Sequence, residues 1–389
     1  MTSKFKLYAV TLAALAVCIG LVVDPHTTKI LLPGLFTQEG AVGAGVVLVA
    51  LGGILDVFGS DAFGVVTLTD AINQQPFSRG RAGEVAGWSL TRVATTTIAI
   101  ENLNGVLSLV NPTARGGPGD DISKKKRTLR NLTVPHYQRD DGIMADEVQG
   151  IRAFGQESQV QTVMDVVNAR LAEHARDFDV TLEHQRVGAI KGIILNGDGS
   201  TLYNLFTEFS VSQQSEVDFN LDGQTANGAV RTTCSSVIRM IAKTLGGQPF
   251  TGVHALCSAE FWDALIANVE VRASYLSQQE ASQLRDGVAY QALNFGGITF
   301  EEYRGGVGTE EATGFIDANK AHFFPVGVPD LFRTVYAPAD YIETVNTLGL
   351  PRYAKQYPMP NDKGVILEMQ MNALNYCTRP RVLIKGKTT

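Results

Sequence analysis

Between Gln156 and Gly188 the chain carries no proline, and its first glycine there is Gly188 itself. Val160, Val163, Met164, Val167, Leu171, Ala175, Phe178 and Leu182 recur within it at i, i+3, i+4, i+7. That spacing puts one apolar stripe on one long amphipathic helix. Asp165, Arg170, Glu173, Arg176, Asp177, Glu183 and Arg186 fall on the other faces, which are expected to be solvated. At 1.5 Å per residue, roughly thirty residues make a rod about 45 Å long, enough to span a domain. Few folds accommodate such a rod, and the rest of the chain must be arranged along it.

Gly188 ends the pattern, and an apolar run continues to Leu195. Asn196-Gly-Asp-Gly-Ser200 is turn chemistry: Gly197 and Gly199 accept positive φ, and Asn196 and Asp198 can close Asx-turns. Thr201 to Phe209 then reads as a strand, so the unit is a long helix followed by a hairpin. The Asp-x-Gly turn lacks the spaced ligand set of a calcium loop.

Length and charge bound the rest. The 389 residues leave room for two or three domains. Thirty-three basic and 39 acidic residues give net charge −6, which argues against a chain gripping nucleic acid over its whole surface. Cys18, Cys234, Cys257 and Cys377 lie far apart with no CxxC pair, a pattern that fits reduced folding and neither a metal knuckle nor a disulfide framework. His174 and His184 share the long helix nearly three turns apart, with no carboxylate-rich pocket in view, so no metal is expected.

Residues 1–54 differ in character from the rest of the chain. Lys4 and Lys6 precede the uncharged run Leu7–Val23, near the lower limit for a membrane helix and compatible with a signal segment. A shorter, Gly-rich run covers Ala41–Ile54. Three readings stay open: a membrane anchor or export signal, a structured extension, or residues upstream of a start near Leu55–Val57.

Beyond Asp56, a short helix can start at Thr67 or Thr69 and ends at Gln74-Gln-Pro76. Ser78–Gly87, with Arg79 and Arg81 among its glycines, has no periodicity and reads as an extended arm. Thr95–Glu101 and Gly105–Pro112 read as strands. Residues 114–130, ARGGPGDDISKKKRTLR, form a charged, Gly-rich excursion between strands, carrying Arg115, Lys124, Lys125, Lys126, Arg127 and Arg130. Such a hairpin cannot bury its own faces. It is a solvated loop, an arm that packs on another subunit, or a nucleic-acid contact.

Ser212–Asn227 is polar and reads as a boundary. Val230–Leu245 has helical spacing and stops at Gly246-Gly247. Val253–Ser258, Ala259–Ile266, Gly296–Tyr303 and Lys320–Val328 give strand, helix and strands, a mixed α/β lobe over 229–345. Leu350–Pro358 reads as a connection, with strands over Lys363–Ala373 and Arg379–Lys385. Gly305-Gly-Val-Gly308 has no lysine-serine pair after it and makes no phosphate cradle. There is no GxSxG, HExxH, P-loop or CxxC, and the adjacent carboxylates, such as Glu301 and Glu302, read as surface charge. No enzyme is indicated, and no cofactor.

Five stretches resemble one family, the lambda-type tailed-phage major capsid proteins (major capsid protein E family). They are DVFGSDAFGVVTLTDAINQQPF (56–77), RGGPGDDISKKKRTLRNLTVPHYQRDDGIMADEVQGIRAFG (115–155), RDFDVTLEHQRVGAIKGIILNGDGSTLYNLFTEF (176–209), KAHFFPVGVPDLFRTVYAPADYIETVNTLG (320–349) and EMQMNALNYCTRPRVLIK (368–385). The resemblance covers roughly 55–389 and fails over 1–54, which favours an upstream-start reading of that segment.

The resemblance implies an α+β, Hong Kong 97-like capsid fold. Residues 55–90 would be an N-arm and 91–138 an extended loop hairpin. Residues 139–228 and 346–389 would form a peripheral domain with the long spine helix, and 229–345 an axial domain. It implies a major capsid protein that self-assembles, through hexamers and pentamers, into an icosahedral shell in the host cytoplasm. That shell would enclose the double-stranded DNA of a tailed phage or prophage without sequence-specific binding, and would meet decoration, scaffold and portal proteins. Arg79, Arg81, Arg115, Lys124, Lys125, Lys126, Arg127 and Arg130 would be inter-subunit contacts. The rival reading is a membrane-anchored α/β binding protein or enzyme held by residues 7–23.

Overall fold

The computed structural model describes residues 22–23, 30–31, 65–74, 80–103, 127–148, 163–223, 228–279, 292–307, 313–360 and 363–389. The chain divides into two units, Met1–Gly64 and Val65–Thr389. In the first, Val22–Val23 pairs antiparallel with Ile30–Leu31; the rest of the 7–23 and 41–54 runs lies outside the described residues. Among the described residues no helix is long and apolar enough to cross a membrane.

The second unit is built along one helix. We label its elements α1 (Val65–Gln74), α2 (Arg81–Val85), β1 (Trp88–Arg92), β2 (Thr97–Leu103), β3 (Arg127–Thr133), β4 (Tyr137–Met144) and α3 (Val163–Lys191). The long helix α3 has 29 residues, and its stripe is core: Val167, Leu171, Ala175, Phe178 and Leu182 are all buried. The expected first turns, residues 156–162, lie outside the described residues. The helix ends three residues late, at Lys191, because Gly192 takes φ +83° and a Cβ there would strike the Phe206 ring. Two expectations for its polar faces fail. Glu183 and Arg186 are buried, because α2 packs across the last turns of α3.

After α3, β5 (Ile193–Leu195) and β6 (Thr201–Asn204) form the anticipated hairpin. At its turn Asp198 Oδ1 accepts from the Ser200 amide at 2.9 Å, and Gly199 takes φ +83°. The second strand is shorter than expected. Asn204 caps a one-turn helix, Leu205–Glu208, by accepting from the Phe206 amide at 3.1 Å.

A six-stranded mixed sheet forms the largest layer. We continue with β7 (Val217–Asp218), α4 (Ala229–Leu245), β8 (Gly252–Cys257), α5 (Ala259–Ala267), α6 (Val269–Gln279), β9 (Ala292–Phe295), β10 (Ile298–Glu302), β11 (Lys320–Val326), β12 (Phe332–Tyr336), β13 (Tyr353–Pro358), β14 (Gly364–Met371), β15 (Ala373–Cys377) and β16 (Ile384–Lys387). The sheet order is β9-β10-β8-β11-β16-β7. Its central strand β8 is buried on both faces, as its continuous apolar run predicts. α4 stops at Gly246 with φ +63°.

Several expected boundaries are crossed by these sheets. Polar Ser212–Asn227 contains edge strand β7 and the buried Phe219 and Leu221, so it is no clean linker. Phe219 stacks on Phe323 at 5.1 Å and meets Phe261 edge-on at 5.7 Å, and those rings pin it to the sheet. Leu350–Pro358 is not a mere connection. Tyr353–Pro358 is the edge of the sheet β13-β14-β4. Arg379–Lys385 is a 3-10 turn, Pro380–Val382, before β16. A third sheet, β15-β12-β1, brings Trp88–Arg92 beside Phe332–Tyr336 in parallel register. Helix α1 begins at Val65, before either expected threonine. Thr69 is buried, and its hydroxyl accepts from the Ala354 amide of β13 at 3.2 Å.

Candidate subunit interface

The hairpin β2-β3 forms a two-stranded sheet of its own. Seven pairs run from Thr97↔Thr133 to Leu103↔Arg127. At its root Ile98 and Leu132 face each other and are buried in the main core, and Ile100 packs half-buried against it, while Thr97, Ala99, Asn131 and Thr133 are exposed. Tyr203 fastens that root, its hydroxyl accepting from the Thr133 amide at 3.0 Å and donating to the Thr133 carbonyl at 2.8 Å. A two-stranded ribbon is marginal alone in water.

The charged candidates fall into three groups. Arg79, Arg115, Lys124, Lys125 and Lys126 lie outside the described residues, as does the expected strand Gly105–Pro112. Arg127 and Arg130 sit on β3, opposite Leu103 and Ile100; Arg130 donates to Ser210 Oγ, 80 residues away. Arg81 does not belong to an extended arm. It opens α2, and its guanidinium holds Glu301 within the same chain.

That ion pair belongs to a buried network. Arg81 Nε lies 2.5 Å from Glu301 Oε1 and Nη2 lies 3.0 Å from Oε2, while His254 Nε2 is 3.1 Å from Oε2. Burial pushes the Glu301 carboxyl up, but hydrogen bonds from His254 and Arg81 reverse this and leave it below the usual range. Glu301, read in the sequence as surface charge, is fully buried. The strand partner of buried β8 has no solvent for a carboxylate, so it needs cationic partners.

Glu183 performs the matching task on α3. It accepts from the Ala82 amide at 2.6 Å, the Gly83 amide at 3.3 Å and the Tyr303 hydroxyl at 3.2 Å. Burial pushes its carboxyl up, opposed by the Ala82 hydrogen bond and Arg186. Gly80 and Gly83 make this approach possible, since a Cβ would meet the Glu183 side chain at the first and Arg186 at the second. Trp88 completes the join: its Nε1 donates to the Ala82 carbonyl at 2.9 Å, and Arg186 stands 5.6 Å from its ring. Sequence reasoning missed these residues because the two halves are about a hundred positions apart.

The rest of the surface holds exposed apolar side chains: Leu90 on β1, and Ile342, Val345 and Leu348 in the connection before β13. Cys234, Cys257 and Cys377 are free and buried, with thiols pushed up by burial. Among the described residues no group of three or more His, Cys, Asp or Glu side chains is arranged to hold a metal.

Comparison with known proteins gives a consistent result. The model of a family described as phage major capsid protein E matches residues 64–388. A major capsid protein of Pseudomonas phage KPP10 is 28% identical over 348 residues, covering 84% of this chain and 97% of that protein. A major capsid protein of Salmonella phage Felix O1 (isolate Felix O1-VT1) is 24% identical over 354 residues, covering 83% and 95%. The solved structure of a putative capsid protein of a prophage of E. coli CFT073 superposes with TM-score 0.50 at 12% identity, covering 84% of this chain and 99% of that one.

Proposed function

The chain belongs to the phage major capsid protein E family, and we propose from that premise that its copies build the icosahedral shell around the DNA genome of a tailed phage or prophage. The observation that carries this reading is the match of residues 64–388 to the family, with relatives named for the capsid aligned over nearly their whole length. The role is structural rather than enzymatic. The rival anchored protein or enzyme loses ground, because the matched family and both named relatives are phage capsid proteins.

Assembly follows from burial. The β2-β3 ribbon is two-stranded and exposes Thr97, Ala99, Asn131 and Thr133, and Ile342, Val345 and Leu348 face solvent in the isolated chain. Apolar surface left open by each copy is covered by its neighbours, at about 25 cal/mol per Å² removed from water. Identical contacts close under symmetry into hexamers and pentamers, and many weak contacts per subunit sum to a durable shell. In this reading Arg115, Lys124, Lys125, Lys126, Arg127, Arg130 and Arg79 meet neighbouring copies. Arg81 acts at home, holding α2 on the sheet through Glu301.

The finer architecture is that of a Hong Kong 97-like subunit. Residues 55–90 act as the N-arm and 91–138 as the extended loop. Residues 139–228 and 346–389 form a peripheral domain around α3, and 229–345 an axial domain. Strands β7 and β16 cross into the sheet of that axial part, a join that supports one stiff subunit. Assembly takes place in the host cytoplasm, with scaffold, portal and decoration proteins as partners and the shell as the final location.

Gradient sedimentation of the full-length product tests the reading. Shells travel as fast, lipid-free particles; an anchored protein floats with bilayers, and that outcome would overturn it.

A further inference from the structure

One face of the six-stranded sheet carries a charged cluster that plays no part in the subunit contacts proposed above. In the antiparallel pair β11-β16, Lys320 stands opposite Lys387 and His322 opposite Lys385. Residues directly opposite each other, and those two apart on a strand, share a face. Lys191 reaches the same place from the end of α3: it donates to Asp317 Oδ1 at 3.1 Å and to the Phe315 carbonyl at 3.3 Å. Lys320 pairs with Glu216 at 2.6 Å and Lys387 with Asp218 at 2.9 Å. Lys385 lies 3.9 Å from both Glu216 and Asp317. Four lysines therefore share three carboxylates, and two of the lysines oppose each other directly across the strands.

Beneath them lies His322, 4% exposed, whose Nε2 has no hydrogen-bond partner among the described residues. Burial, then Lys191 and Lys385, push its imidazole down to about 3, so it stays neutral at pH 7, and in the tautomer protonated at Nε2 that nitrogen has an N–H to donate. A buried polar atom without a partner is costly and calls for an explanation. A cationic rim over an unsatisfied nitrogen is arranged for an anion rich in acceptor oxygens.

We propose that Lys191, Lys320, Lys385 and Lys387, with His322 beneath them, bind a phosphodiester of the enclosed DNA. The proposal rests on the shell reading, and it turns this sheet face towards the genome. The single excess lysine fits a contact that holds a phosphate weakly and reads no base. Repeated around a shell, it would position DNA without fixing its sequence.

Binding of a short labelled duplex to the unassembled full chain, followed by fluorescence anisotropy across a salt series, tests this. Lys385→Gln with Lys387→Gln should weaken binding on the order of tenfold at low salt, and lower the salt slope by about 0.9 for each phosphate no longer neutralised. Lys385→Arg with Lys387→Arg should keep the affinity, which excludes misfolding as the cause. Lys355→Gln, on a different sheet, should leave it unchanged. Equal binding by the Gln pair and the parent overturns the proposal. So does phosphorus NMR showing that inorganic phosphate occupies the cluster and is not displaced by the duplex. Sedimentation of the same proteins separates this from the shell reading: particles that form normally while the duplex is ignored defeat the lysine cluster alone.

Discussion

Arg81 and Glu301, 220 positions apart, meet in a two-point contact at 2.5 and 3.0 Å, and this joins the start of α2 to β10, next to the central strand of the largest sheet. Arg81 is 29% exposed in its side chain and Glu301 0%. Removing the cation therefore strands a buried carboxylate with only His254 beside it. Arg81→Ala should destabilise the subunit by about 3 kcal/mol, the low end for a broken buried pair because the arginine is partly wet. Urea unfolding measures it. A change within about 0.5 kcal/mol would reduce the ion pair to surface decoration.

Two buried carboxyls should act on acid stability in opposite directions. Glu301 lies below its usual range, so its contribution is complete above the unfolded value of about 4.3 and is lost as pH falls through the folded value. Glu183 lies above it, so the native state holds that proton more tightly, and folding gains as pH falls towards about 4.3. Glu301→Gln should flatten the acid limb of a stability-against-pH curve. Glu183→Gln should steepen the descent from neutral pH. Curves parallel to the parent's in both variants would contradict the assigned environments.

The docking of α2 on α3 depends on the absence of two side chains. Gly80→Ala drives a methyl into Glu183, an overpacking that costs about 1–3 kcal/mol. Gly197, in the β5-β6 turn, has open space around it and no positive φ, so Gly197→Ala should stay within about 0.5 kcal/mol. Melting temperatures of the pair give the comparison, and equal shifts would refute the tight approach.

Phe219 attaches β7 to the sheet through its ring, which meets those of Phe323, Phe261 and Phe300. Phe219→Ala should cost about 3–5 kcal/mol, the range for emptying an aromatic from a close-packed core. Chemical denaturation reads the change, and a cost below about 1 kcal/mol would mean that β7 is dispensable.

What could be read from the sequence was whatever repeats locally. Val167, Leu171, Ala175, Phe178 and Leu182 announce the buried face of α3 by spacing alone, and Val230 to Leu245 announces α4 with its Gly246 stop. Glu183 and Arg186 misled because their burial is caused by Gly80–Trp88, a segment with no periodicity of its own. Val217 and Asp218 form too short a strand to alternate, and only pairing with Gly386 and Lys387 defines it. The lysine cluster is assembled from α3, β11 and β16, so no stretch of sequence displays it. Pairing across long separations carries no local signature. The family resemblance was legible from whole segments even where these joins were not.

The central claim is that copies of this chain complete one another through the basic excursion of the hairpin. Negative-stain microscopy of the full chain, beside a variant with Lys124, Lys125, Lys126 and Arg127 all replaced by Glu, tests it most directly. The account predicts closed, uniform particles from the parent and only folded, unassembled subunits from the variant. Particles of the same size and yield from the variant would contradict it.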